Sequence, residues 1–240
     1  MRSAVVLLSA LLLANPAGAQ PPACPIPDGL GLQDIELPLA RQAAAARHLT
    51  ILVVGGAASA GTAAGGAEYT YAARLQARLA ALLPAVTVSS ATRAVPRRTA
   101  EFTASHIAAD IAETHANLVI WGVGDVEAGS GVDVNDFADT LESGIAAIHT
   151  AGADVIMMDL QYAPSIARVV NLAPYREVVM RVGQDADVPV LDRYDLMRDW
   201  SDDGVLDFDA TAPKARLDVA RRLFDCISAA LADGIAQAVR

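Results

Sequence analysis

Residues 50–61 read Thr50-Ile51-Leu52-Val53-Val54-Gly55-Gly56-Ala57-Ala58-Ser59-Ala60-Gly61, an apolar run that breaks off at a glycine pair. Five β-branched or apolar residues without polar alternation describe a strand buried on both faces. The glycine pair ends it in a turn. Beyond the turn Tyr69, Ala72, Ala73, Leu75, Leu79, Leu82 and Leu83 recur at helical spacing. A doubly buried strand feeding an amphipathic helix is the opening of a parallel βα unit.

The same alternation repeats outward. The sequence predicts strands at Val86–Val88, Leu118–Val123, Ala153–Met158 and Val188–Leu191. Between and after them it predicts helices at Ala100–Ala116, Phe137–His149 (with Asp133 as N-cap), Tyr175–Val182 and Ala215–Ala238. This is an α/β pattern: a three-layer α/β/α sandwich around a five-stranded parallel sheet, flavodoxin-like. Ligands of such sheets sit beyond the C-terminal strand ends. The site is therefore expected at the turns after Val54, Val88, Val123 and Met158 and in the loop before the last helix.

The chain has 240 residues, 53% of them apolar, and a net charge of −10. That is enough apolar material for one buried domain, and the acidic balance offers no electrostatic attraction for nucleic acid or anionic lipid. Ahead of the domain, Arg2 is followed by the apolar run Ala4–Ala14 and the small residues Ala17 and Ala19. This predicts a signal peptide over residues 1–19, cut after Ala19, in a run too short to span a membrane. The expected location is periplasmic or secreted. Residues 20–48 form a Pro-rich lead, of which Pro21 to Pro27 cannot be helix or central strand, and residues 49–240 form the domain. Cys24 and Cys226 are the only cysteines. In an oxidising compartment they are expected to form a disulfide, with two buried free thiols as the alternative. No Cys/His spacing fits zinc or haem, residues 55–61 lack G-x-G-x-x-G, and no Gly-Lys-Ser/Thr occurs. No cofactor or metal is expected.

The order of segments resembles the SGNH (GDSL-type) hydrolases over most of the chain. Where that family has Gly-Asp-Ser after its first strand, this sequence has Gly55-Gly56-Ala57. Thr92–Thr99 (TRAVPRRT) is similar to the family's second block, and its oxyanion-hole glycine falls on Ala94 or Pro96. The third block, Gly-x-Asn-Asp, corresponds to Gly124-Asp125-Val126-Glu127, with Val126 in the asparagine place. MMDLQYAP, from Met157, resembles a fourth-strand end of the family. Its closing Asp-x-x-His corresponds to Asp203–Leu206 or, preserving the spacing to Phe224 and Cys226, to Ala215-Arg216-Leu217-Asp218. Neither contains a histidine.

The resemblance implies an ester hydrolase scaffold whose catalytic positions, Ala57, Ala94, Val126, Ala215 and Asp218, carry no nucleophile and no imidazole. Such chemistry needs a hydroxyl, a base within reach and donors for the oxyanion. Ser59 is the one hydroxyl near the first turn and the fallback nucleophile. His48, His115 and His149 are expected at the far end of the sheet, with His106 in mid-helix. The expected ligand-binding residues are Gly55, Gly56, Ala57, Ser59, Asp125, Asp159, Gln161 and Tyr162. Asp125, Glu127, Asp159 and Asp218 are expected to gather at the strand tops as solvated loop residues or an acidic cleft. Arg93, Arg97 and Arg98 are a solvated basic loop or an anion holder. The reading that follows is a non-catalytic binding or accessory protein for an acylated glycan or another small acyl-ester ligand of the cell envelope. The alternatives are an ester hydrolase using Ser59 with an Asp base, and an envelope scaffold. Oligomeric state is not legible.

Overall fold

The computed structural model describes residues 24–240; the proposed signal peptide lies outside them. Helix α1 (Pro38–Ala45) precedes β1 (His48–Val54), the short helix α2 (Ala57–Ala60) and α3 (Tyr71–Leu82). Then follow β2 (Thr87–Thr92), α4 (Ala100–Thr114), β3 (Leu118–Gly122), α5 (Asp125–Ser130), α6 (Val134–Thr150) and β4 (Asp154–Met158). The chain continues through α7 (Pro164–Ala167), α8 (Ala173–Asp185), β5 (Val190–Leu191), α9 (Arg193–Asp202) and α10 (Pro213–Ala238). All five strands are parallel, in the order β2-β1-β3-β4-β5.

The apolar strands face two cores at once, which is why they read as unbroken runs. Ile51, Val53, Leu118, Ile120, Ile156 and Met158 point toward α1, α3, α9 and α10. Leu52, Val54, Val119, Trp121, Val155 and Met157 point toward α4, α6 and α8. Residues two apart on a strand share a face, so each strand splits its side chains between the layers. On the second layer Gly144 of α6 lies against the Trp121 ring, where a Cβ would clash, with Ala104 Cβ 3.2 Å from the same point. Asp133 caps α6 as expected, accepting from the N–H groups of Asn135 and Asp136, and these bonds hold its carboxyl below the usual range.

Three features depart from the sequence reading. The second strand runs over Thr87–Thr92 rather than Val86–Val88, because its polar Ser/Thr half pairs with β1 along the sheet edge. Helices α1, α5 and α9 were not expected from the sequence. The lead is part of the fold: Leu32 and Leu37 are buried with α10, Trp200 Nε1 of α9 donates to Pro25 O at 2.6 Å, and Cys24 is bonded to Cys226 of α10. Helix α1 has no N-cap side chain of its own. Its Ala40 N–H is met instead by Asp154 at the start of β4, at 2.8 Å, and burial raises that carboxyl's pKa.

Candidate functional site

The C-terminal ends of the strands converge on Gly55–Ala58. Gly55 turns the chain out of β1 at φ 131°, a conformation that favours glycine, and a Cβ there would lie 2.5 Å from Gly122 O and 2.8 Å from Ser59 Oγ. β1 and β3 close together at this point. Val95 N donates to Gly55 O at 3.0 Å and so brings the loop after β2 over the turn. Val126 stands above Gly56, its Cγ2 3.3 Å from where a Cβ would be. The result is a shallow floor whose exposed residue is Ala57.

Two cavities open from that floor. The larger, of about 730 Å³, is lined by Ala57, Ala58, Val126, Ile166, Val170 and Leu172, with Arg97, Thr99, Asp125 and Ser130 among its polar groups. The smaller, of about 310 Å³, lies against α10 and is lined by Phe208, Val219, Leu223 and Phe224, with Asp207 and Arg216. They share Ala57, Ala58 and Gln161. A mostly apolar concavity with a few polar groups is the usual form of a small-molecule site.

Of the residues expected to bind ligand, Ala57, Asp125 and Gln161 line these cavities, and Gly55 and Gly56 form the floor behind them. Ser59 does not join them. It is buried, its hydroxyl packed beneath Gly55 and Gly122, beside a Tyr71 hydroxyl that makes no well-aligned hydrogen bond. Burial raises the Tyr71 pKa to about 12, so this phenol stays protonated. Tyr162 packs edge-on against Tyr194 and Phe208, backing the wall of the smaller cavity without lining it.

The four acids do not form one cleft. Glu127 is buried and caps two helix starts, accepting from Ala100 N at 2.7 Å and Gly124 N at 3.1 Å. Asp125 accepts from Gln161 N and from Arg193 Nη2, each at 2.8 Å, tying α5, the loop after β4 and α9 together. Asp159 is fully buried, accepting from Arg176 Nε at 3.0 Å and from Tyr194 N at 2.9 Å. Burial, then the neighbouring Asp192 charge, raises its pKa to about 7. Arg176 also bonds Asp192 and Asp195, each at 2.9 Å; burial opposes its charge, but these carboxylates raise its pKa further. Asp218 is exposed and paired with Lys214 at 2.6 Å. It and Ala215 lie inside the first turns of α10, not in a loop before it, and neither lines a cavity.

The basic loop divides likewise. Arg93 pairs with Glu113 at 2.7 Å, Arg98 covers the Phe102 ring, and Arg97 alone lines the larger cavity. Ala94 lines neither cavity. No histidine lines either: His48 opens β1, His115 and His149 end α4 and α6 at the far side of the sheet, and His106 stacks on Phe102. Sequence reasoning missed Arg193, which is buried beneath Asp125, and the apolar wall Ile166, Val170 and Leu172. The wall's only signal was the apolar content of residues 163–172.

This geometry agrees with what the chain resembles. Residues 23–240 match the family described as non-GDSL lipase-like. The chain belongs to that family. No curated protein sequence matches this lipase-like chain. Among solved structures, TesA matches it at 21% identity with a TM-score of 0.60, over 77% of this chain and 99% of that one. The lipase/acylhydrolase from Enterococcus faecalis matches at 18% identity with a TM-score of 0.62, over 79% and 96%. A two-domain esterase active on acetylated mannans matches at 14% identity with a TM-score of 0.64, over 84% of this chain and 53% of that one. At these identities the solved structures establish the fold of the lipase-like chain, and the resemblance to GDSL-type hydrolases holds at that level.

Proposed function

We propose that this lipase-like protein binds an acyl-ester ligand, an acylated glycan or a similar envelope molecule, without cleaving it. The observation that carries the reading is Ala57: the residue at the centre of the floor, shared by both cavities, has no hydroxyl. An acyl group suits the apolar walls, and Gln161, Arg97 and Thr99 offer donors for a carbonyl or a sugar hydroxyl. In the reading export is included, and the Cys24–Cys226 bridge supports it.

The alternative, hydrolysis through Ser59 and Asp218, finds no support in their placement. Ser59 is buried under the floor and Asp218 is on the outer face of α10. The test pairs two measurements. Short p-nitrophenyl esters should turn over no faster than in buffer, for the protein and for Ser59→Ala alike. A thermal-shift screen should show stabilisation by acylated sugars or by medium-chain acyl esters. Turnover abolished in Ser59→Ala, or a flat screen across all acyl ligands, would overturn the reading.

A further inference from the structure

The edges of the larger cavity differ from the rest of the surface. Six large apolar side chains stand exposed among the described residues, and one of them, Ile166, lines this cavity. Ile166 is 47% exposed, and Val169, directly before the lining residue Val170, is 79% exposed; on the other edge Val95, two positions before the lining residue Arg97, is 45% exposed. The two edges face each other, since Arg97 and Thr99 on one and Ile166 and Val170 on the other line the same space. Each edge also presents an exposed arginine, Arg97 and Arg168, that makes no ion pair among the described residues. Asp125, the acid that lines the same cavity, is already held by Arg193.

Taking the cleft as an acyl-binding site, as argued above, we propose that its mouth docks on an anionic lipid surface, from which the acyl group enters the larger cavity. Apolar tips rimmed by cations match the boundary between headgroups and acyl chains, and the apolar walls continue that environment inward. The chain's net charge of −10 gives no overall attraction to such a surface. Charges farther than about 8 Å from the surface are screened at physiological ionic strength, so the local arginines decide.

Vesicle flotation tests the proposal, using residues 20–240, which retain every described residue and omit the apolar run 4–14. Vesicles of phosphatidylglycerol with phosphatidylcholine should carry the protein, and phosphatidylcholine alone should carry it far less. Val169→Ser, and separately Arg168→Gln, should each lower the bound fraction about five-fold. Both variants should keep the parent melting temperature, and both should keep binding a soluble short-chain acyl ester by calorimetry. Absence of vesicle binding, or binding that both variants retain in full, would overturn the proposal, including in the case where the face serves a protein partner instead. Loss of soluble-ester binding by the parent protein would instead strike the reading of the cleft itself.

Discussion

Ala57 and Asp159 show how much single positions decide. Restoring a hydroxyl with Ala57→Ser should give no ester turnover above buffer, because no imidazole lines either cavity to take its proton. Ala57→Phe should weaken ligand binding about ten-fold or more, near 1.4 kcal/mol, with little change in melting temperature, because the alanine is exposed where the cavities meet. Calorimetry against one soluble acyl ester reads it. Asp159 gives a pH signature. Its folded pKa, about 7, lies above the ordinary carboxylate value of 3.8. Between those values the folded chain keeps a proton that the unfolded chain has lost, so raising the pH across this window favours unfolding. Asp159→Asn lacks the effect, and the stability of the variant relative to the parent should rise from pH 4 to pH 7 in urea titrations. Parallel curves would remove the assignment. That Asp125, Asp159 and Glu127 lie near the strand ends was legible from their positions after apolar strands. Their engagement was not, because their partners Arg176, Arg193 and Ala100 come from elements distant in sequence.

Among the elements, β1, β3 and β4 were legible because both of their faces are buried, which leaves an unbroken apolar run. The edge strand β2 shows the opposite case. Thr87, Ser89, Ser90 and Thr92 give no apolar signal; pairing with β1, and the bonds from Ser90 to Gln76 of α3, place them. Helix α9 buries only Arg193, Leu196, Met197 and Trp200 and is otherwise strongly polar, so its period was hidden. Yet it supplies both Arg193 and the Trp200 bond to the lead. Helix α6 depends on a missing side chain. Gly144→Val should destabilise the protein by about 1–3 kcal/mol, since the new methyls meet Trp121 and Ala104 between α6 and α4. Ser143→Ala, on the exposed face one residue earlier, should stay within about 0.5 kcal/mol in the same urea titration. Equal effects would show that the Trp121 contact is soft.

At the level of the whole molecule, the Cys24–Cys226 bridge joins residues 202 apart and fixes the lead to α10. Cys24→Ala with Cys226→Ala should lower unfolding stability by about 2–5 kcal/mol. Limited proteolysis of that variant should cut first within residues 24–37. The lead could be set apart in the sequence because its prolines stop regular structure, but its burial rests on contacts with α9 and α10 that no local pattern reveals. The two cavities, finally, branch from one junction at Ala57, Ala58 and Gln161. A forked guest with unequal arms would saturate the protein at one equivalent, whereas short single-armed guests would titrate to two, so stoichiometry reports whether the two hollows act as one receptor.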